Sequence, residues 1–491
     1  MKYTGIKSLI LCGLMAFTAG CTKDFDDINT NPNAPTAVNS GLLLPQIQRD
    51  MIGSLLGETW GIGNIVIQHT AKNQFVNEDR YLWGELNSIW NNVYDNMRDV
   101  NNIIIQSDEK NEHSYKGIAL VMRAWMFSLA TDAYGDIPYS EAIQAKEGIN
   151  YTKYDTQEDI YNGILNDLKE ANTILGTTGE VVAGDLIYAG DAAKWKKLAN
   201  SLRVRYLLRI SKKRDVGADL RGIVNDAANF PIFESIADNA VYNFKSTAPD
   251  QFPLHTSRIG SFNEFRASKT LLDTLDGLSD PRLPIFFRPT PATDGSANPV
   301  YVGIPNGLND VDALQYNGGP QSQSPIGKLY FENAISTQGL TIAKGVIMTY
   351  AELQFLLAEA AENGLIGESA ESSYYAKGVN ASFAFYGLTP PANYFSQPEV
   401  AYTGTKTEKL QKIGFQKWVS LYFQGLEAWF DWRRTGIPAL TPGPSNQNNN
   451  KIPVRFRYPI IEQSLNAVGY QGAIQRQGPD DLNSKMWHLQ F

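Results

Sequence analysis

Cysteine is almost missing. The 491-residue chain has two, Cys12 and Cys21. If Cys12 is lost with an N-terminal leader, no internal disulfide can form and no thiolate pair remains for zinc, so stability must come from burial. Histidine is nearly as scarce, and His69, His113, His255 and His488 fall in no HExxH or comparable metal-ligand spacing. There is no G-x-S-x-G elbow and no P-loop, and Gly61-Ile62-Gly63 lacks the third glycine of a dinucleotide fingerprint. No run of Lys and Arg is longer than Lys212-Lys213-Arg214, and the net charge is −8. That argues against nucleic acid, where affinity comes from neutralising phosphates, and against lying flat on anionic lipid. No later apolar run approaches the roughly 20 residues that span a bilayer. The expectation is a protein without metal, cofactor or catalytic constellation.

What is present begins with a leader. Lys2 and Lys7 precede an apolar run over residues 9–17, and Ala19-Gly20 stand before Cys21. This is the layout of a secretory signal over residues 1–20. Followed by Cys21 it resembles the lipobox of bacterial lipoproteins, in which the cysteine after the cut carries lipid, although Thr18 stands where Leu is usual. Residues 21–39 are acidic and then rich in Asn and Pro, the composition of a flexible tether. Asp27, Asn29 and Asn31 imitate the start of a calcium loop, but Pro32 and Val38 occupy the positions of its turning Gly and bidentate Glu.

Residues 40–491 read as one mainly α domain. Apolar stripes at helical spacing run through Leu44, Ile47, Met51 and Leu55, then Leu86, Ile89, Val93, Met97 and Val100. They continue through Ile118, Met122, Trp125 and Leu129, ended by Gly135 and Pro138, then Ile160, Ile164 and Leu168, and finally Trp195, Leu198, Leu202 and Tyr206. Helices return at Thr349, whose spacing to Glu352 is that of a capping box, with a partner over 368–386 and a last long helix over 408–434. The pattern is a stack of helix pairs over about 40–230 and 346–440. Between them, residues 231–345 accumulate Pro, Gly, Asn and Ser, a loop-rich insert with brief strands expected at 240–244 and 300–302. Glu427 and Asp431 have the spacing of a helical carboxylate pair, but beside Arg433 and Arg434 they read as ion partners.

Several stretches resemble the SusD/RagB family of outer-membrane nutrient-binding lipoproteins, in its SusD-like, starch-binding branch. They are Thr131-Asp132-Ala133-Tyr134-Gly135-Asp136-Ile137-Pro138-Tyr139, Met348-Thr349-Tyr350-Ala351-Glu352, Gly425-Leu426-Glu427-Ala428-Trp429-Phe430-Asp431-Trp432-Arg433-Arg434, and Ile452-Pro453-Val454-Arg455-Phe456-Arg457-Tyr458-Pro459. The resemblance implies tetratricopeptide-like helix pairs and a surface-exposed lipoprotein at the outer membrane. It also implies a SusC-like TonB-dependent transporter as partner and a glycan or peptide ligand. A surface-anchored glycoside hydrolase and a periplasmic binding protein are the competing readings.

Sugar rings stack on aromatic faces while their hydroxyls need Asn, Asp, Arg or Gln. Outside the helical stripes, 73–83 and 301–316 combine both, so the candidate ligand residues are Phe75, Asn77, Arg80, Tyr81, Trp83, Tyr301 and Tyr316. Trp125, Trp195, Trp418 and Trp429 lie on stripes and are expected in the core.

Overall fold

The computed structural model describes residues 39–177, 179–245, 248–254, 261–330, 343–367 and 371–491. The leader, Cys21 and the tether up to residue 38 lie outside these residues, as does His255.

Among the described residues, six helices of eight residues or more follow in the first half: α1 (Ser40–Glu58), α2 (Ser88–Lys110), α3 (His113–Tyr134), α4 (Gln157–Ile174), α5 (Ala192–Arg209) and α6 (Gly217–Val224). Each of the first five packs on its neighbour in sequence, because its apolar stripe has to be covered and the short turns bring the next helix alongside. Local chemistry sets the starts. Thr156 accepts a hydrogen bond from the Asp159 amide at the head of α4, and Asp191 accepts from Ala193 and Lys194 at the head of α5. Trp125 and Trp195 are fully buried, as their place on the stripes requires.

The insert contains α7 (Lys269–Gly277), α8 (Leu283–Phe286) and α9 (Asp310–Gln315), so it is more helical than its composition suggests. Among the described residues two two-stranded sheets staple it down, and a third lies within the first helical series. β1 (Thr70–Lys72) pairs antiparallel with β5 (Phe265–Ala267), β2 (Ile137–Pro138) with β3 (Tyr154–Asp155), and β4 (Ala240–Asn243) with β6 (Lys344–Met348). The β4–β6 pair brings the two ends of the insert together, and β1–β5 ties its middle to the segment after α1. The strand expected at 240–244 is present. The one expected at 300–302 is not: Val302 only exchanges hydrogen bonds with Ser324, and Val300 bonds within its own loop.

The second helical series is α10 (Tyr350–Glu362), α11 (Glu371–Ala384), α12 (Lys406–Ser420) and α13 (Glu427–Thr435). Thr349 caps α10 through the Glu352 amide. α10 packs on α11, on α12 and back on α5, which joins the two series. The α10–α11 approach is close because Gly378 faces Phe355: a Cβ there would stand 2.8 Å from the ring.

The helix expected over 408–434 is in fact two. Residues 421–426 form a turn in which Phe423 (φ 61°) and Gly425 (φ 70°) take left-handed backbone conformations. The break turns aromatic rings into the insert. Tyr422 stacks on Phe286 at 4.1 Å and donates to its carbonyl, while Phe423 stacks on Tyr330 at 4.0 Å. The region after residue 440, beyond the helix pairs read from the sequence, adds α14 (Glu462–Leu465) and α15 (Ala467–Gln477).

Charge is built into the core. Arg205 holds Glu352 through two bonds of 2.6 Å and donates to the Ile347 carbonyl. Arg209 bridges Asp132 and Glu427, and Lys417 bridges Glu359 and Asp431, which Arg434 also joins. Against the upward push of burial, Arg434 and Lys417 hold the Glu359 carboxyl below the usual carboxylate range. Glu427 and Asp431 are thus partners of buried cations, though of the two adjacent arginines only Arg434 takes part, at Asp431, while Glu427 pairs with Arg209 from α5.

Candidate functional site

The segment following α1 carries unusual backbone strain. Gln68, Phe75 and Tyr81 all have positive φ, at 58°, 51° and 61°. Such a conformation costs a side-chain-bearing residue of order 1–3 kcal/mol and persists only when its surroundings over-determine it. Here the surroundings can be named. Asn73 Nδ2 donates to Gln323 Oε1 at 2.9 Å, and Gln323 Nε2 in turn donates to the carbonyls of Ala313 and Tyr316. The Val76 amide donates to Asp310 Oδ1 at 3.3 Å. Asp79 accepts from the Lys72 amide and, at 2.7 Å, from Asn306 Nδ2, which also reaches the Thr70 carbonyl. Ser268 Oγ donates to Asn306 Oδ1. The 73–83 and 301–316 segments, more than 200 residues apart in sequence, therefore form one frame.

Within that frame the candidate residues separate. Phe75 is 67% exposed, projecting from its strained position, and Asn77 is exposed beside it. Arg80 is half-buried, with Nε donating to the Ser445 carbonyl and its own carbonyl accepting from the Gln447 amide. Tyr301 and Tyr316 are half-buried. Tyr81 and Trp83 correct the expectation, since both rings are interior, at 2% and 5% exposure. Trp83 meets Trp429 and Phe456 edge-on and donates from Nε1 to the Glu78 carbonyl, and Tyr81 packs edge-on against Trp83. These two support the loop from beneath and offer no open face to a ligand.

The sequence reading missed Leu82 and Val311, 53% and 61% exposed. It also missed the polar residues of the frame, Asp79, Asn306, Asp310 and Gln323. The available signal was Asn309-Asp310-Val311-Asp312, where Asn309 caps α9 and an apolar residue sits among acids on its first turn.

Asp79 is a strongly perturbed group of the frame. Burial pushes its carboxyl up to about 7, against the opposing effect of hydrogen bonds from Asn306 and from the Lys72 and Gly307 amides. The folded value lies above the ordinary one near 4. The group's contribution to stability is therefore complete below about pH 4 and is lost as pH rises through about 7. Carbon-13 titration of Asp-labelled protein, with Asp79→Asn to identify the resonance, is expected to show a midpoint near 7. A midpoint near 4 would mean that the frame opens to water.

A cleft of about 750 Å³ lies elsewhere, between α7, α12 and residues 436–439, with Phe415, Glu399 and Lys412 on its walls. None of the seven candidate residues lines it. Among the described residues no cluster of His, Cys, Asp and Glu could hold a metal ion, and no helix is long and apolar enough to cross a membrane.

Comparison with known proteins places the fold. A family model described as starch-binding, associating with the outer membrane, matches residues 32–459. The solved structure of a chitin-binding protein is 31% identical, covering 92% of this chain and 100% of its own, with a TM-score of 0.78. A SusD homologue from Bacteroides fragilis is 26% identical over 92% of this chain and 99% of its own, with a TM-score of 0.77. A chitin-binding SusD homologue from Flavobacterium johnsoniae, at 22% identity, covers 91% of this chain and 98% of its own and shares the fold with a TM-score of 0.76. No curated protein matches the chain.

Proposed function

Because this chain belongs to the SusD-like family of starch-binding proteins associating with the outer membrane, we propose that it captures glycan without cleaving it. In this reading Cys21 carries the lipid anchor, residues 21–39 are the tether, and residues 40–491 form the capturing body. The glycan passes to a SusC-like TonB-dependent transporter at the cell surface.

The observation that carries the reading is the exposed Phe75 ring, held at a strained backbone position by hydrogen bonds from two distant segments and bordered by Asn77 and Arg80. A flat apolar surface beside fixed polar groups suits a pyranose, whose C–H face stacks while its hydroxyls hydrogen-bond. Tyr301 and Tyr316 belong to the same frame and would widen the contact. The absence of catalysis is supported by the ion pairing of Glu427 and Asp431, whose carboxylates face Arg209, Arg434 and Lys417. The chitin-binding relative makes a polymer of N-acetylglucosamine the first ligand to test, beside starch.

Affinity electrophoresis of the chain from Thr22 onward, through gels containing glycol chitin or soluble starch, is expected to retard the protein in at least one. Unretarded migration in every polysaccharide, together with binding to a peptide library, would replace the glycan reading with a peptide one.

A further inference from the structure

The loop that carries Phe75 leads into a second recess. The Leu82 amide donates to the Asn77 carbonyl, which folds the loop back on itself. The chain then runs through Trp83 and Gly84, and both of their carbonyls accept from Arg457 Nη2, at 2.7 and 3.3 Å. Arg457 lines a pocket of about 230 Å³ with Glu85, the next residue of the chain, and with Ile460, Gln463 and Tyr470. Smaller than the roughly 300–1,000 Å³ that holds a drug-sized ligand, it has room for a single sugar ring.

The polar groups of this pocket fall into two sets. Asp480 is taken up by the protein: it accepts from Arg455 Nη2, from the Tyr458 amide and, at 3.4 Å, from Tyr470 Oη. Glu85, Arg457 and Gln463 are not. Glu85 accepts only from Asn87 Nδ2, Arg457 keeps Nε and Nη1 without a partner among the described residues, and the Gln463 side chain has no hydrogen bond among them. Glu85 and Arg457 share the pocket but form no ion pair with each other or with any other described residue. A carboxylate needs a donor and a guanidinium needs an acceptor. A hydroxyl is both, so two neighbouring hydroxyls of one ring can bond to Glu85 and Arg457 at once. Ile460, 60% exposed, and the Tyr470 ring give the C–H face of such a sugar an apolar neighbour.

We infer that this pocket is a second sugar subsite, filled by a ring further along a neutral glycan whose first contact is the Phe75 ring. Glu85, Arg457 and Gln463 are its hydrogen-bonding residues. Two rings of one chain engage the two places together, so the second contact forms within the complex and adds to affinity. The protein therefore selects long chains over short ones. The inference rests on the glycan reading above and sharpens it to a chain-length class.

Binding titrations with the dimers and hexamers of N-acetylglucosamine and of α-1,4-linked glucose test it on the wild type, Glu85→Ala and Gln463→Ala, with thermal melting recorded on the same preparations. Both side chains are exposed, so the melting temperature is expected to stay unchanged. In whichever series the wild type binds, the hexamer is expected to bind at least about tenfold more tightly than the dimer, because only the hexamer reaches both places. Glu85→Ala should weaken the hexamer about tenfold and Gln463→Ala about fivefold, the scales of one hydrogen bond to a charged and to a neutral group. The dimer should bind both variants as it binds the wild type. Equal affinity for dimer and hexamer, an equal loss for both in either variant, or no loss in Glu85→Ala overturns the second subsite while leaving glycan capture intact. Failure of the wild type to bind either series defeats the glycan reading itself.

Discussion

Replacing Arg282 with Met is expected to destabilise the protein by about 3–5 kcal/mol, the cost of leaving a buried charge without its partner. Arg282 and Asp280 are both completely inaccessible, joined at 2.6 Å between Nη2 and Oδ2 and at 3.0 Å between Nε and Oδ1. The guanidinium also donates to Ser382 Oγ and Tyr394 Oη, and lies 4.1 Å from the centre of the Phe383 ring. This cluster fastens the α7–α8 part of the insert to α11 and the 393–396 turn. Met fills most of the same volume, so packing is largely kept while Asp280 loses its countercharge. Tyr394 Oη and the Arg282 amide still donate to it, but they carry no charge. The drop should appear in the urea unfolding midpoint. Asp280→Asn combined with Arg282→Met should recover a large part of it, because a neutral pair needs no compensation. A single-variant loss below about 1 kcal/mol would mean that water reaches Asp280.

Phe75→Ala separates function from stability in the opposite way. With two-thirds of its ring in water, Phe75 contributes little burial, and its removal should change stability by no more than about 0.5 kcal/mol, as for exposed sites generally. Glycan affinity should nevertheless fall at least about tenfold, the scale of losing an aromatic anchor from a binding surface. Isothermal titration and thermal melting on the same preparation read both quantities. Unchanged affinity would remove Phe75 from the site. A large loss of stability would show that its ring packs against the body.

The contrast between Phe75 and its neighbours also shows how far a sequence can be read. The helices that face the core announce themselves through stripes such as Ile118, Met122, Trp125 and Leu129, because burial on one side imposes a local period. The insert was recognisable from its Pro and Gly content, but α7 and α9 were not anticipated in it. Nothing local separates Phe75 from Tyr81 or Trp83, since all three lie in one polar, aromatic stretch. What buries Trp83 is Trp429 and Phe456, more than 340 residues later, and what exposes Phe75 is a loop held by Asp310, Asn306 and Gln323. The break between α12 and α13 was hidden for the same reason. Leu421, Tyr422 and Phe423 continue an apolar run, and only their partners in the insert explain a left-handed turn at Phe423.

Glycan is held, in this reading, on the frame that carries Phe75 and not in the cleft beside Phe415. A crystal structure of the chain from Thr22 with the N-acetylglucosamine hexamer tests it most directly. The expected result is a pyranose stacked on the Phe75 ring, with hydroxyl contacts to Asn77. A sugar seated between α7 and α12, with the Phe75 ring bare, would contradict it.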